Sequence, residues 1–193
     1  FHNRVKVNYD DRSGFEKAKL IASKSDVVGM VLGEEGHQSG EGRSRTNIGL
    51  PGLQLELLKE IHKVNKNIVL VVMSGRPLDL TWEDKHIPSI LQAWQLGSKS
   101  GDAIANVLFG DYNPSGKLTM SFPRNVGQVP VYYNFKNTGR PSTSIEQVTN
   151  SGYADVENSP LYSFGYGLSY TSFSYSNLSI DNDNMNKTSS IKA

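Results

Sequence analysis

Cysteine is missing from this chain of 193 residues. Its absence excludes disulfides and thiolate metal sites, while leaving the cellular compartment open. A dominant charge is missing as well. The 20 basic residues against 19 acidic ones give a net charge of +1, so composition offers no reason to expect nucleic acid or a membrane as partner. No apolar run approaches the ~20 residues of a membrane span. Histidine is sparse and scattered, at His2, His37, His62 and His86, and no set of residues has metal-ligand spacing. Phosphate-cradling patterns of the GxGxxG or GxxxxGK(S/T) type are lacking. So is a G-x-S-x-G elbow, which sets Ser39 and Ser74 aside as nucleophiles. No signal peptide opens the chain at Phe1-His2-Asn3, and any leader is expected to lie outside it.

What is present reads as one domain with a sizeable core. The 18 glycines and 8 prolines mark many turns. Phe15, Ala18, Ile21 and Ala22 recur at helical spacing. Val27–Leu32 follows as a strand that is apolar on both faces, as in a central parallel strand. Pro51 opens a second helix, with Leu53, Leu57, Ile61 and Val64 as its buried stripe. Ile68–Met73 is the next strand, Ser89–Trp94 a shorter one, and Asp102–Phe109 a helix with Ile104, Val107 and Leu108 inward. The alternation predicts a parallel sheet with right-handed crossovers, in which Val27–Leu32 and Ile68–Met73 are adjacent and buried. After Gly110 the pattern changes. Lys117–Phe122 reads as an edge strand closed by Pro123, and Gly127–Pro160 as a long irregular stretch. Phe173–Ile180 alternates like a strand of a different, all-β module, and Asp181–Thr188 reads as a loose polar tail.

The most informative segment is the acidic loop Gly33-Glu34-Glu35-Gly36-His37-Gln38-Ser39-Gly40-Glu41-Gly42-Arg43-Ser44-Arg45. It follows directly on a strand, and ligands of open α/β sheets gather at the carboxyl ends of strands. Its glycines allow sharp turns, and the loop is expected to be more mobile than the strands it joins. Glu34 and Glu41 suit proton transfer, since glycosidic hydrolysis uses two carboxyls and burial against a sugar raises a carboxyl into the working range. The residues alone leave open a solvated acidic loop instead. His37 is a second proton carrier or plain surface. Arg43 and Arg45 either orient a carboxylate or clamp the loop to the domain, and Arg76 has the same two readings. Trp94 either stacks on a sugar ring or belongs to the core.

Several longer motifs stand in order along the chain. They are Ser25-Asp26-Val27-Val28 leading to Gly33-Glu34, then Gly40–Ile48 with Leu50-Pro51, Val71–Leu78, and Ala93-Trp94 with Gly97. The most specific are Ala105–Phe122 (A-N-V-L-F-G-D-Y-N-P-S-G-K-L-T-M-S-F) and Leu161–Thr171 (L-Y-S-F-G-Y-G-L-S-Y-T). Together they resemble the second catalytic domain of glycoside hydrolase family 3, of the periplasmic β-glucosidase type. The resemblance implies a three-layer α/β sandwich with a mainly parallel sheet over residues 1–172. It also implies the start of a fibronectin-III-like β module over 173–193. An N-terminal TIM-type barrel, expected outside this chain, would carry the aspartate nucleophile and most of the sugar pocket. The first strand-helix unit of the sandwich is expected to be missing or degenerate before Val5. The implied activity is retaining hydrolysis of terminal β-glucosyl residues with no cofactor and no metal, in a periplasmic or secreted enzyme. The resemblance admits either Glu41 or Glu34 as general acid/base. Glu41 is favoured because it lies between two glycines near the loop tip, ahead of Arg43 and Arg45, whereas Glu34 sits one residue past the strand. Arg43 and Trp94 are candidate substrate contacts. A β-xylosidase of the same family, a non-catalytic carbohydrate-binding or interaction module of the same fold and a flavodoxin-like nucleotide or phosphate binder are the rival readings.

Overall fold

A computed structural model of the chain describes residues 10–142 and 149–190. Its frame is a three-stranded parallel sheet in the order β1 (Val28–Gly33), β2 (Ile68–Met73), β3 (Ser89–Gln92). The register runs from Val28 opposite Ile68 to Gly33 opposite Met73, and from Val69 opposite Ser89 to Val72 opposite Gln92. The helices are α1 (Phe15–Ala22), α2 (Gly36–Ser39), α3 (Gln54–Val64), α4 (Thr81–His86) and α5 (Ser100–Leu108).

The central strand β2 has its apolar run buried on both faces, with Ile68, Leu70, Val71 and Val72 all sealed from solvent. This is the expected behaviour of a parallel strand with neighbours on each side. Met30, Leu58 and Ile61 join Ile68, Leu70 and Val72 in one core, and Val28 and Leu32 pack against it. Asn65, past the end of α3, donates its side-chain amide to the carbonyls of Ala22 (2.9 Å) and Ser25 (2.7 Å). The end of α3 is thereby tied to the end of α1.

Strand β1 departs from expectation. It is adjacent and parallel to β2, but it is not buried on both faces. Val28, Met30 and Leu32 face the core, whereas Val31 is 59% exposed. Val31 is paired with Val71, which is 1% exposed. The layer covering that face of the sheet therefore reaches β2 and, among the described residues, stops short of β1. An apolar run reports that a strand can be covered, not how far its cover extends.

Other boundaries shift for local reasons. The helix expected at Pro51 starts at Gln54, because Gly52 takes a left-handed φ of +57° that no helix continues through. Its buried residues are Leu58 and Ile61, while Val64 is exposed. Strand β3 stops at Gln92, and Trp94 turns out of strand geometry with φ +55°. In α5, Ile104 and Val107 are half-buried but Leu108 is exposed. Lys117–Phe122 is not a regular strand. Leu118 and Phe122 pair with Gly165–Tyr166 and Leu161–Tyr162 through backbone bonds of 2.7–2.8 Å. Between these pairs the Phe164 amide goes to the Ser121 hydroxyl (3.3 Å), so a side chain replaces one rung of the ladder. Phe173–Ile180 forms no strand, and Phe173, Tyr175 and Leu178 are exposed. A strand needs an edge to pair with, and none is offered to this segment among the described residues. The long stretch from Gly127 is irregular where described, apart from a 3-10 turn over Val126–Gln128. The expected break in the sandwich before Val5 lies outside the described residues.

Candidate active-site loop

The acidic loop starts under tight backbone control. Gly33 ends β1 with φ +139°, and a Cβ there would lie 1.8 Å from the Met73 carbonyl oxygen. Only glycine fits so close to the neighbouring strand. The Gln54 side chain accepts from the Gly33 amide (2.7 Å) and donates to its carbonyl (2.9 Å). The Glu34 amide then donates to Met73 O at 2.7 Å. Both strand ends and the start of α3 thus fix where the loop departs.

Glu34 turns its side chain inward, where it is fully sealed from solvent. Arg45 Nη1 lies 2.8 Å from Oε1, and Arg76 Nε lies 3.0 Å from Oε1 and 3.2 Å from Oε2. The Gly75 amide approaches Oε2 at 3.4 Å. The arginines reach onward: Arg45 Nη2 donates to Gly49 O at 3.0 Å, and Arg76 Nη2 to Gln38 O at 2.5 Å. A buried carboxylate is tolerable only when paired and hydrogen-bonded, and here two guanidiniums supply both. This is the clamp reading of Arg45 and Arg76.

Beyond Glu34 the chain forms the single turn α2. A capping box braces it, with the Glu35 amide donating to Gln38 Oε1 at 3.1 Å. Ser39 Oγ accepts from Gln95 Nε2 at 3.2 Å. The loop then swings into solvent. Arg43 N donates to Gly40 O at 3.1 Å, closing a turn with Glu41 and Gly42 at its centre. Gly42 has φ +69°, the left-handed geometry such turns reserve for glycine. Glu41 and Arg43 are exposed, and Glu41 has no ion-pair or hydrogen-bond partner among the described residues. The two candidate acids are therefore in opposite states, one locked and one free. His37 is exposed, with Nδ1 3.8 Å from a Glu35 carboxylate oxygen. Trp94 is half-buried, and its ring lies 5.8 Å from that of Phe122. Ser74 is buried, donating to Arg76 O (2.8 Å) and accepting from Gln92 Nε2 (3.1 Å), so it braces the Arg76 turn.

Matching residues 3–170, the family model is that of the glycosyl hydrolase family 3 C-terminal domain. The chain belongs to this family. It is 46% identical over 191 residues to a periplasmic β-glucosidase of Salmonella typhimurium, covering 97% of this chain and 25% of that protein. It is 43% identical over 190 residues to a β-xylosidase of Formosa agariphila, covering 92% of this chain and 25% of that one. A crystal structure of a β-glucosidase from Listeria innocua in complex with gluconolactone matches with a TM-score of 0.83 at 38% identity, over 88% of this chain and 24% of that one. The chain thus spans about a quarter of the length of these relatives. The family's α/β sandwich with its parallel sheet is the fold expected from the sequence.

Three contributors to the family 3 loop were not singled out from sequence: Gln54, Gly75 and Gln95. Gly75 had a signal, since it lies two residues past a strand and precedes an arginine. The glutamines had none, because their roles depend on where β1, α3 and the residues after β3 meet. A further buried acid also escaped notice. Glu83 is 1% exposed, its Oε1 has no partner among the described residues, and burial pushes its carboxyl up to about 7, with Asp79 adding to the shift. No sequence signal marked it, because the six residues of α4 are too few to show a helical period. Beside it, Tyr162 donates to Asp84 at 2.6 Å, and burial raises the phenol well above its ordinary value. Among the described residues, no group of three or more His, Asp or Glu side chains is placed to hold a metal ion.

Proposed function

We propose that this chain supplies the general acid/base of a retaining exo-β-glycosidase, a β-glucosidase acting on terminal non-reducing β-D-glucosyl residues, and that Glu41 is the proton carrier. The nucleophile would come from an N-terminal TIM-type barrel of the same protein. One observation carries the assignment: Glu34 is sealed between two arginines, while Glu41, at the tip of a glycine turn, is unpaired among the described residues. A group that must give a proton to a leaving oxygen and later take one from water has to reach substrate. Glu41 is free to do so, and Glu34 is spent on the clamp. Arg43, exposed two residues on, is the candidate contact to substrate hydroxyls. Trp94 is the weaker candidate, because its ring already packs on Phe122.

The chain alone is expected to be inactive on aryl β-glucosides, since a retaining mechanism needs a second carboxyl about 5 Å from the first. A periplasmic or secreted location fits the name of the Salmonella relative. The Formosa relative's name favours β-xylosidase as the second reading, the barrel pocket deciding the sugar. The fibronectin-like module is proposed to begin near residue 173.

The test uses the protein carrying both domains. Glu41→Gln should slow glucosides with poor leaving groups about 10²–10⁴-fold, the usual worth of general acid–base assistance. Activated phenols should leave without help, and azide should then yield a β-glycosyl azide. Should Glu34→Gln give this pattern while Glu41→Gln stays near wild type, the assignment is reversed.

A further inference from the structure

We propose that Glu34, Arg45, Arg76 and the Ser39–Gly75 contact form a latch that sets the reach of Glu41, so that Glu34 is a positioning residue acting through the loop. The inference rests on Glu41 being the acid/base.

The loop is held at points on either side of its tip, all before or after Glu41. On the near side, Arg76 carries the Gln38 carbonyl and Gln95 carries the Ser39 hydroxyl. On the far side, Arg45 holds the Gly49 carbonyl. Both arginines end on the Glu34 carboxylate. One buried anion thus ties together the two limbs of the loop, with the free turn Gly40–Arg43 between them. The near limb is also seated sterically. A Cβ on Gly75 would lie 2.7 Å from Ser39 Cβ and 3.0 Å from its Oγ, so the limb rests directly on the backbone after β2. The guanidinium of Arg76 matters by shape as well as charge. It meets a carboxylate and a carbonyl with different nitrogens, which a lysine ammonium cannot reproduce in the same geometry.

The tip itself has no anchor among the described residues, so its position is inherited from the two limbs. A displacement of about 1 Å at a reacting group can cost about 10²-fold in rate. Loosening the latch should therefore act on proton transfer before it acts on sugar binding.

The experiment compares phenyl and 2,4-dinitrophenyl β-glucosides in the protein carrying both domains, with Glu41→Gln as the reference. Gly75→Ala, Arg76→Lys and Glu34→Gln should each lower kcat/KM for the phenyl glucoside about 10–100-fold more than for the dinitrophenyl glucoside. Ser39→Gly should bring Gly75→Ala back to the level of Gln95→Ala, because it removes the atoms that clash and, with Oγ, the Gln95 contact. Gln95→Ala, a milder lesion, should give the same selectivity at smaller size and covers the case in which a harsher variant fails to fold. Equal loss on both substrates in all latch variants, beside a selective loss in Glu41→Gln, would overturn the latch alone. Failure of Ser39→Gly to bring Gly75→Ala back to that level would do the same. A Glu41→Gln variant with no selectivity would overturn the acid/base reading and the latch together.

Discussion

Glu34 and Glu83 are both buried glutamates, 6% and 1% exposed, in neighbouring parts of one small domain. They solve the cost of burial differently. At the strand ends, Glu34 meets Arg45 and Arg76 at 2.8 and 3.0 Å. On α4, Glu83 meets no ion-pair partner among the described residues, leaves one oxygen unpaired among them, and is pushed up to about 7. Lys59, the cation that acts on it, only partly offsets desolvation. The difference teaches that burial does not decide whether a carboxyl is charged; the cations within reach do. It also separates roles. A carboxylate fixed by two arginines makes a structural joint, whereas an unpaired one makes a pH-dependent point in the fold.

The comparison breaks most easily at the joint. Arg45→Ala should leave Glu34 buried with one guanidinium, and urea unfolding should show a loss of about 3–5 kcal/mol, the usual result of removing one partner from a buried pair. A loss under ~1 kcal/mol would mean that water already reaches the carboxylate.

The next effect is on Glu83. Its folded value, about 7, lies above the ordinary 4.5, so the folded state holds the extra proton between those values. Stability from this group is fully present below about 4.5 and is lost as pH rises through 7. The full loss is at most about 3–4 kcal/mol, at ~1.4 kcal/mol per pH unit between 4.5 and about 7. Glu83→Gln should flatten the stability profile between pH 5 and 8 and be more stable than the parent at pH 8. An unchanged slope would place Glu83 in an ionised, solvated state.

A smaller effect is expected at Asn65, which is neutral. Asn65→Ala removes two bonds to the end of α1, for about 1–2 kcal/mol; the Ser25 carbonyl loses this donor, while the Ala22 carbonyl keeps the Ser25 amide. Hydrogen exchange should show the loosening first in α1. The smallest effect is the control for ion pairing. Arg12 and Glu56 pair at 2.7 Å with both side chains largely in solvent, so Arg12→Ala should leave the urea midpoint unmoved. A clear shift there would show that distance, not burial, governs these pairs.

Much of the frame was legible from residue pattern. The parallel strands, the helices between them and the acidic loop follow from β-branched runs, helical spacing and glycine placement, all local signals. The failures were at edges. Lys117–Phe122 reads as a strand, yet Ser121 takes one amide of the ladder with its hydroxyl. Phe173–Ile180 alternates properly but meets no edge to pair with among the described residues. The short helix α4 was invisible because its six residues show less than two turns of periodicity.

By itself the sequence determined the family and the strand–loop geometry that puts glutamates at the carboxyl end of a parallel sheet. Gly42 had to be glycine for a local reason, its left-handed turn, whereas Gly33 also answers to the Met73 carbonyl on the neighbouring strand. Only the tertiary structure decided which glutamate is sealed and which stands free. The partners of Glu34 lie 11 and 42 residues away in the chain, and no periodicity carries that information. The same holds for β1, whose apolar face is covered or bare according to how far the layer over Val71 extends. Local chemistry selects the elements; desolvation, which depends on whatever else arrives at the same place, assigns each charge its role.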